Sequence, residues 1–319
     1  MEYRKLGATG VKVSPICLGA MMFGGPADEA ASVEMINHAL EAGVNFIDTA
    51  NVYTQTRSEE IVGRALKGRR HEVVLATKVH GIVAPGPNGG GNSRYHIMQQ
   101  VENSLRRLQT DHIDLYYLHR PDPDTSLEEE IETLSDLVRQ GKVRYFGTSH
   151  YAGWQICRGL WYADSAKLAH WVVDQPRYSL IDRAIEADVV PFCQATGYGL
   201  VPHSPLAGGF LTGKYQAGQA PPNDSRFARQ PERFKALEDE RNLAVLDVVN
   251  TLAREHNCSV AQVAIAWVIA KPFISSTIIG PRTVAQTDDN LAAAEVKLSP
   301  DEIAALDDVS AYAATLPRL

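Results

Sequence analysis

Residues 113–149 read IDLYYLHRPDPDTSLEEEIETLSDLVRQGKVRYFGTS. The first seven, IDLYYLH, form a near-continuous apolar run of strand length, the pattern of a strand covered on both faces of a parallel sheet. In the middle, Ile131, Leu134 and Val138 recur at helical spacing on one face. Thr125 with Glu128 predicts a capping box at the start of that helix, and Gly141 suits its stop. VRYFGTS (143–149) is a second apolar run. Strand, helix and strand in this order make the βαβ unit of α/β proteins.

Working outward, the unit repeats. SPICLGA (14–20), NFIDTA (45–50), VVLATKV (73–79), WVVDQPRYS (171–179), GLVPHSP (199–205) and STIIG (276–280) complete a set of eight strand-like runs. Helical segments lie between them: Val33, Ile36 and Leu40 share a face, Ser259 with Gln262 predicts another capping box, and Ser299, Pro300 and Glu302 mark the start of a final helix. Eight alternations predict an α/β chain closed into a (β/α)8 TIM barrel. An open doubly wound sheet shares the alternation, which does not by itself show closure. EYRKLGATGVKVS (2–14) alternates around a Gly-rich turn and predicts a short N-terminal β-hairpin. With no linker and no short repeat, residues 1–319 are expected to form a single domain.

Two stretches interrupt the repeat. GIVAPGPNGGGNS (81–93) is rich in Gly and Pro, and 207–240 is polar, with Arg226, Arg229, Arg233 and Lys235. Each follows a strand and precedes a helix, which in a barrel places it on the face where active sites sit.

Composition excludes several classes. The formal charge of −7 gives no global basic field, so nucleic-acid binding is not expected. Cys17, Cys157, Cys193 and Cys258 make no C-x-x-C pair and no metal-ligand spacing, and read as thiols in a reducing compartment. No secretory signal is visible, and the longest apolar run, 263–270, is far short of the ~20 residues that span a bilayer. A cytoplasmic protein with no membrane partner and no metal is expected. There is no H-E-x-x-H, and Gly147 and Ser149 miss G-x-S-x-G because Tyr151 fills the last position. No G-x-G-x-x-G follows a strand, so a Rossmann-type site is not indicated. The oligomeric state is not legible.

The chemistry lies at the strand ends. Asp48 ends the second strand of the barrel, Tyr53 follows five residues later, Lys78 is near the end of the third and His119 ends the fourth. A free tyrosine titrates near ~10, and a neighbouring ammonium stabilises its phenolate. Asp48 would hold Lys78 charged and in place, and His119 could donate a hydrogen bond to a carbonyl oxygen. Taken singly, each residue is as well explained as a cap, a packing residue or a solvated charge. Their joint placement on one rim points to protonation of an oxygen while hydride reaches the adjacent carbon.

NFIDTANVY, SEEIVGRAL, VVLATKV, SLRRLQTDHIDLYYLH, GKVRYFGTS, VVDQPRYS, HSPLAGGFLTGKY and TIIGPRTVAQTDDN occur in this order through nearly the whole chain. In these motifs the sequence resembles the aldo-keto reductase family. The resemblance implies a (β/α)8 barrel, reduction of a small carbonyl substrate, and a catalytic tetrad at Asp48, Tyr53, Lys78 and His119, with Tyr53 as general acid. It also implies NADP(H) laid across the barrel mouth. Ser149 and Gln175 match residues that hold the nicotinamide carboxamide. The segment 204–214, with Ser204, Leu206, Gly208 and Lys214, matches a loop over the pyrophosphate. Gly280, Arg282, Gln286 and Asn290 match residues around the adenosine phosphate and adenine. Arg282 also stands between a strand end and a helix start, a place that favours an anion. Two positions depart from the family pattern: His150 replaces the usual Asn, and His203 stands where an aromatic ring often stacks on the nicotinamide. Tyr178 is expected to pack rather than stack. Pocket walls are expected from loops near Met22, Phe23 and Tyr151, with Phe23 more a packing residue than a lining one. The resemblance leaves two alternatives, an NAD(P)-linked alcohol or sugar dehydrogenase and a cofactor-sensing channel subunit. The lack of an extra N-terminal segment weighs against the second.

Overall fold

A computed structural model describes residues 1–215, 221–223, 225 and 227–311. The chain begins with a two-stranded antiparallel hairpin, β1 (Arg4–Lys5) and β2 (Lys12–Val13). Eight parallel strands follow: β3 (Ile16–Gly19), β4 (Phe46–Asp48), β5 (Val74–Val79), β6 (Ile113–Leu118), β7 (Val143–Thr148), β8 (Val173–Asp174), β9 (Gly199–Leu200) and β10 (Thr277–Ile279). Their order around the sheet is β10-β3-β4-β5-β6-β7-β8-β9. The ends of that order meet: Ile278 N–H donates to Pro202 O at 2.8 Å and Ser275 N–H to Leu200 O at 2.9 Å. The sheet therefore closes, and the fold is the (β/α)8 barrel with its N-terminal hairpin.

The apolar runs are continuous because both faces of each strand are covered. Inside the barrel, Cys17, Phe46, Ala76, Leu115, Tyr117, Val173, Val201 and Ile278 form one cluster, capped from below by Leu6 and Val13 of the hairpin. Residues of opposite parity, such as Leu18, Ile47, Leu75, Tyr116 and Phe146, face the surrounding helices. The hairpin fits under the barrel only because of Gly7. It lies at φ +55, and a side chain there would meet Val172 O at 2.7 Å and Gly199 N at 2.8 Å.

Three local expectations need correction. The helix Leu127–Arg139 is capped by Ser126, whose hydroxyl accepts from Glu129 N–H at 3.2 Å; Thr125 instead donates to Asp122 Oδ2. Ser259 does cap the helix Val260–Ala270, but the Gln262 side chain turns away to Asp289, so the box is not reciprocal. The stretch 207–240 is not a plain polar loop: Phe210, Tyr215, Phe227 and Phe234 in it are buried against one another, with ring centroids 5.2–6.4 Å apart. Arg226 lies outside the described residues. The final helix, Pro300–Val309, does start at Ser299, which forms a reciprocal capping box with Glu302. Among the described residues no helix is long and apolar enough to cross a membrane.

Candidate active site at the barrel mouth

The parallel register brings the strand ends together. Asp48 pairs with Gly19 on one side and Ala76 on the other, and Lys78 pairs with Tyr117. The backbone stays tied beyond the strands, with Asn51 N–H donating to Lys78 O at 3.1 Å and His119 N–H to Val79 O at 2.8 Å. Tyr53 follows in a strained turn. Thr54, Gln55 and Thr56 all have left-handed φ values of 47, 57 and 75. Each such residue costs about 1–3 kcal/mol and persists only where its surroundings hold it. Here Thr54 Oγ1 donates to Phe23 O at 2.6 Å, and Ser58 Oγ donates to Ala20 O at 2.7 Å.

Lys78 Nζ lies at the centre of the cluster. It donates to Asp48 Oδ1, to Thr49 O at 2.9 Å and to Tyr53 Oη at 3.2 Å. An ammonium has three N–H groups, so its hydrogen-bonding capacity is filled. The other Asp48 oxygen accepts from Gln175 Nε2 at 2.9 Å. Asp48 and Lys78 are fully buried, behind Tyr53 and His119, which border the cavity. The His119 ring meets Tyr53 edge-on at 5.7 Å.

The electrostatics follow from burial. Desolvation pulls the Lys78 ammonium down, but Asp48 and Tyr53 outweigh it and hold it above its ordinary value. Burial pushes the Asp48 carboxyl up against the pull of Lys78 and Gln175. For Tyr53 the expected lowering by Lys78 is present but smaller than the effect of burial, so the phenol stands above its ordinary value. Tyr53 is thus a phenol, not a phenolate, near neutral pH. Burial, with Lys78 and Arg120, drives His119 down to about 2, which leaves a neutral imidazole.

A cavity of about 560 Å³ opens over these groups and runs to the start of the helix Val284–Ala292. All twelve candidate cofactor residues border it: Ser149, His150, Gln175, His203, Ser204, Leu206, Gly208, Lys214, Gly280, Arg282, Gln286 and Asn290. Their local bonding differs in places from the family-based expectation. Gln175 spends its amide on Asp48, and Ser149 Oγ donates to Gln175 O at 2.7 Å. Gln286 Oε1 accepts from Arg282 N–H at 2.9 Å, which steadies the turn before the helix. His150 and His203 touch each other, Nε2 to Nε2 at 3.0 Å, so one ring donates and the other accepts. His203 Nδ1 meets Ser204 Oγ at 2.9 Å, and burial with His150 and Arg177 pushes His203 down to about 3. The 3-10 turn Ala207–Thr212 winds through Gly208 (φ 72) and Gly209 (φ 105), a conformation that keeps its backbone bare toward the cavity.

Met21 and Met22 line the cavity, while Phe23 is fully buried in the core. Tyr151 is not a wall: it is buried behind the rim, its hydroxyl donating to Glu130 Oε1 at 2.9 Å. Tyr178 packs on Trp267 with ring centroids 5.2 Å apart, as expected of a packing residue. Arg120 and Arg177, which are not among the residues expected from the sequence, also border the cavity. Their only signal was position, each within two residues of a named strand-end residue.

The strand ends thus bring a buried Asp–Lys pair under a Tyr and a His at one mouth of the barrel. The family model for the aldo/keto reductase family matches residues 15–311, and the chain belongs to that family. It is 39% identical to the uncharacterized oxidoreductase YrpG of Bacillus subtilis, over 97% of this chain and 96% of that one. It is 37% identical to a probable voltage-gated potassium channel subunit beta of Arabidopsis thaliana (93% and 92% covered). It is 35% identical to versiconal hemiacetal acetate reductase of Aspergillus parasiticus (97% and 96% covered). Members of this family generally use a nicotinamide dinucleotide and act on small carbonyl compounds.

Proposed function

We propose that the protein reduces an aldehyde or ketone to the corresponding alcohol with NADPH, Tyr53 supplying the proton. The observation that carries this is the filled coordination of Lys78 Nζ, which joins Asp48, Thr49 O and Tyr53 Oη in one buried centre at the cavity floor. The residues present fit the cofactor. The bare turn at Gly208 and Gly209 and the Lys214 ammonium suit a pyrophosphate, and Arg282 before the helix Val284–Ala292 suits a further phosphate. When bound, the reduced nicotinamide supplies a hydride to the carbonyl carbon.

The chain's own residues do the rest. Neutral His119 donates a hydrogen bond to the carbonyl oxygen and orients it toward Tyr53. As the carbon gains the hydride, the oxygen takes the Tyr53 proton, and the O–H electron pair stays on Tyr53 as phenolate. Lys78, already donating to Tyr53 Oη, stabilises that charge without rearranging, and Asp48 keeps Lys78 in place. Water then returns a proton to Tyr53.

Likeness to proteins named as channel β subunits favours a second role, a cofactor-sensing subunit, and oxidation of an alcohol with NAD is the same chemistry reversed. Purified protein mixed with NADPH or NADH and a panel of carbonyl compounds separates them. NADPH consumption at useful rates, with Arg282→Ala weakening NADPH but not NADH, is expected. No turnover in either direction with tight cofactor binding would favour the sensing role. An unchanged NADP preference in Arg282→Ala would remove Arg282 from phosphate recognition.

A further inference from the structure

The substrate end of the cavity carries more positive charge than proton transfer needs. Arg120 directly follows His119, and its backbone carbonyl is fixed by Asn92 Nδ2 at 2.9 Å. Arg177 follows β8, two strands round the rim from Arg120, its backbone bridged to His203. Both border the cavity and both are solvent-exposed. Burial, with the charges of Arg177 and Arg120, lowers the His150 imidazole below its ordinary value.

Neither charge is neutralised by the cavity wall. Among the described residues, the only carboxylate bordering the cavity is Asp289, beside Asn290 at the far end. Near Arg120, the Asp122 carboxylate is taken up by Asn92 N–H at 2.7 Å, Asp124 N–H at 3.1 Å and Thr125 Oγ1 at 2.9 Å. Among the described residues no ion pair holds Arg120, and Arg177 has only a loose contact with Asp182 at 3.7 Å. In a chain of net charge −7, two exposed guanidiniums at the mouth of a site are a local reversal of sign. Guanidinium groups match carboxylates through paired N–H donors, and a low-dielectric cleft strengthens such contacts.

We propose that the natural substrate is a carbonyl compound bearing a carboxylate, which Arg120 and Arg177 hold at the cavity mouth while its carbonyl oxygen faces Tyr53 and His119. This rests on the reductase function above. The reaction is unchanged: hydride goes from NADPH to the carbonyl carbon and the Tyr53 proton to its oxygen, giving a hydroxy acid whose carboxylate takes no part in the chemistry.

The test compares 4-carboxybenzaldehyde with its neutral counterpart methyl 4-formylbenzoate at pH 7 and low salt, in wild type, Arg120→Gln, Arg120→Lys and Arg177→Gln. In wild type, kcat/KM for the acid should exceed that for the ester about tenfold or more, and 0.5 M salt should shrink the gap, because screening shortens the reach of exposed charges. Each Gln variant should raise KM for the acid about tenfold, leave the ester and the KM for NADPH within about twofold, and Arg120→Lys should recover part of the loss. Equal kcat/KM for acid and ester in wild type would overturn the inference while leaving the reductase function standing. So would Gln variants that raise the KM for NADPH instead, since the arginines would then serve the cofactor. Turnover of neither aldehyde by wild type, in an enzyme that reduces other carbonyls, would also overturn it. Turnover of no carbonyl compound at all would overturn the reductase function itself.

Discussion

Replacing Lys78 with Met should destabilise the whole protein, and a second substitution should partly restore it. Lys78 and Asp48 are both fully buried, and Lys78 makes its three hydrogen bonds to Asp48, Thr49 and Tyr53. Met has a similar shape but leaves the Asp48 carboxylate in the core with Gln175 as its remaining donor. Breaking a buried pair by removing one partner costs about 3–5 kcal/mol. At ~2.1 cal/mol/K per residue, 319 residues have an unfolding entropy of about 0.67 kcal/mol/K, so the loss corresponds to a Tm lower by about 4–8 °C. In Asp48→Asn/Lys78→Met no charge is left unpaired, and an Asn carbonyl can still accept from Gln175. The double variant should melt at least ~1.5 °C above Lys78→Met, a coupling of about 1 kcal/mol or more. Thermal unfolding of the four proteins at pH 7, followed by circular dichroism and repeated at several scan rates, gives the cycle. A Lys78→Met shift under ~1 °C, or effects of the two substitutions that simply add, would refute the coupled buried pair.

Two further expectations concern stability around the site. Glu130 is buried against Tyr151 and Asn92, and burial raises its carboxyl to about 8, above the unfolded value. Its contribution is therefore complete below the ordinary carboxylate range and is lost as pH rises through about 8; Glu130→Gln should flatten the fall in Tm between pH 5.5 and 8.5, and parallel curves for the two proteins would contradict this. At Gly159 a side chain would meet Trp171 Cζ2 at 1.9 Å, so Gly159→Ala should cost about 1–3 kcal/mol, whereas Gly10→Ala, with nothing within 4 Å, should not; equal Tm values for the two variants would disprove the packing argument.

The barrel was legible because its strands are covered on both faces and read as apolar runs that alternate with helical segments. The strand-end positions of Asp48, Tyr53, Lys78 and His119 pointed to one rim, and the parallel register does bring them together there. Contacts between parts distant in sequence were not legible. Phe210, Tyr215, Phe227 and Phe234 are spread through a polar stretch, and only folding gathers them. The cap at Ser126 competed with an equally good signal one residue earlier, and Thr125 was drawn off by Asp122. The direction of the Tyr53 shift was missed because a sequence shows the neighbouring cation but not the depth of burial that opposes it. Asn92, Glu130 and Tyr151, whose hydrogen bonds tie two rim loops to the helix Leu127–Arg139, carry no motif at all.

The claim on which the rest depends is that Tyr53 gives its proton to a substrate oxygen at this site. Tyr53→Phe removes one hydroxyl and leaves the ring against His119. NADPH binding, measured by nucleotide fluorescence, and carbonyl-dependent NADPH consumption should be recorded on the same samples of wild type and variant. Unchanged NADPH affinity with turnover reduced by at least two to three orders of magnitude, roughly the worth of a positioned general acid, is the expected result. Turnover by Tyr53→Phe at the wild-type rate would contradict it.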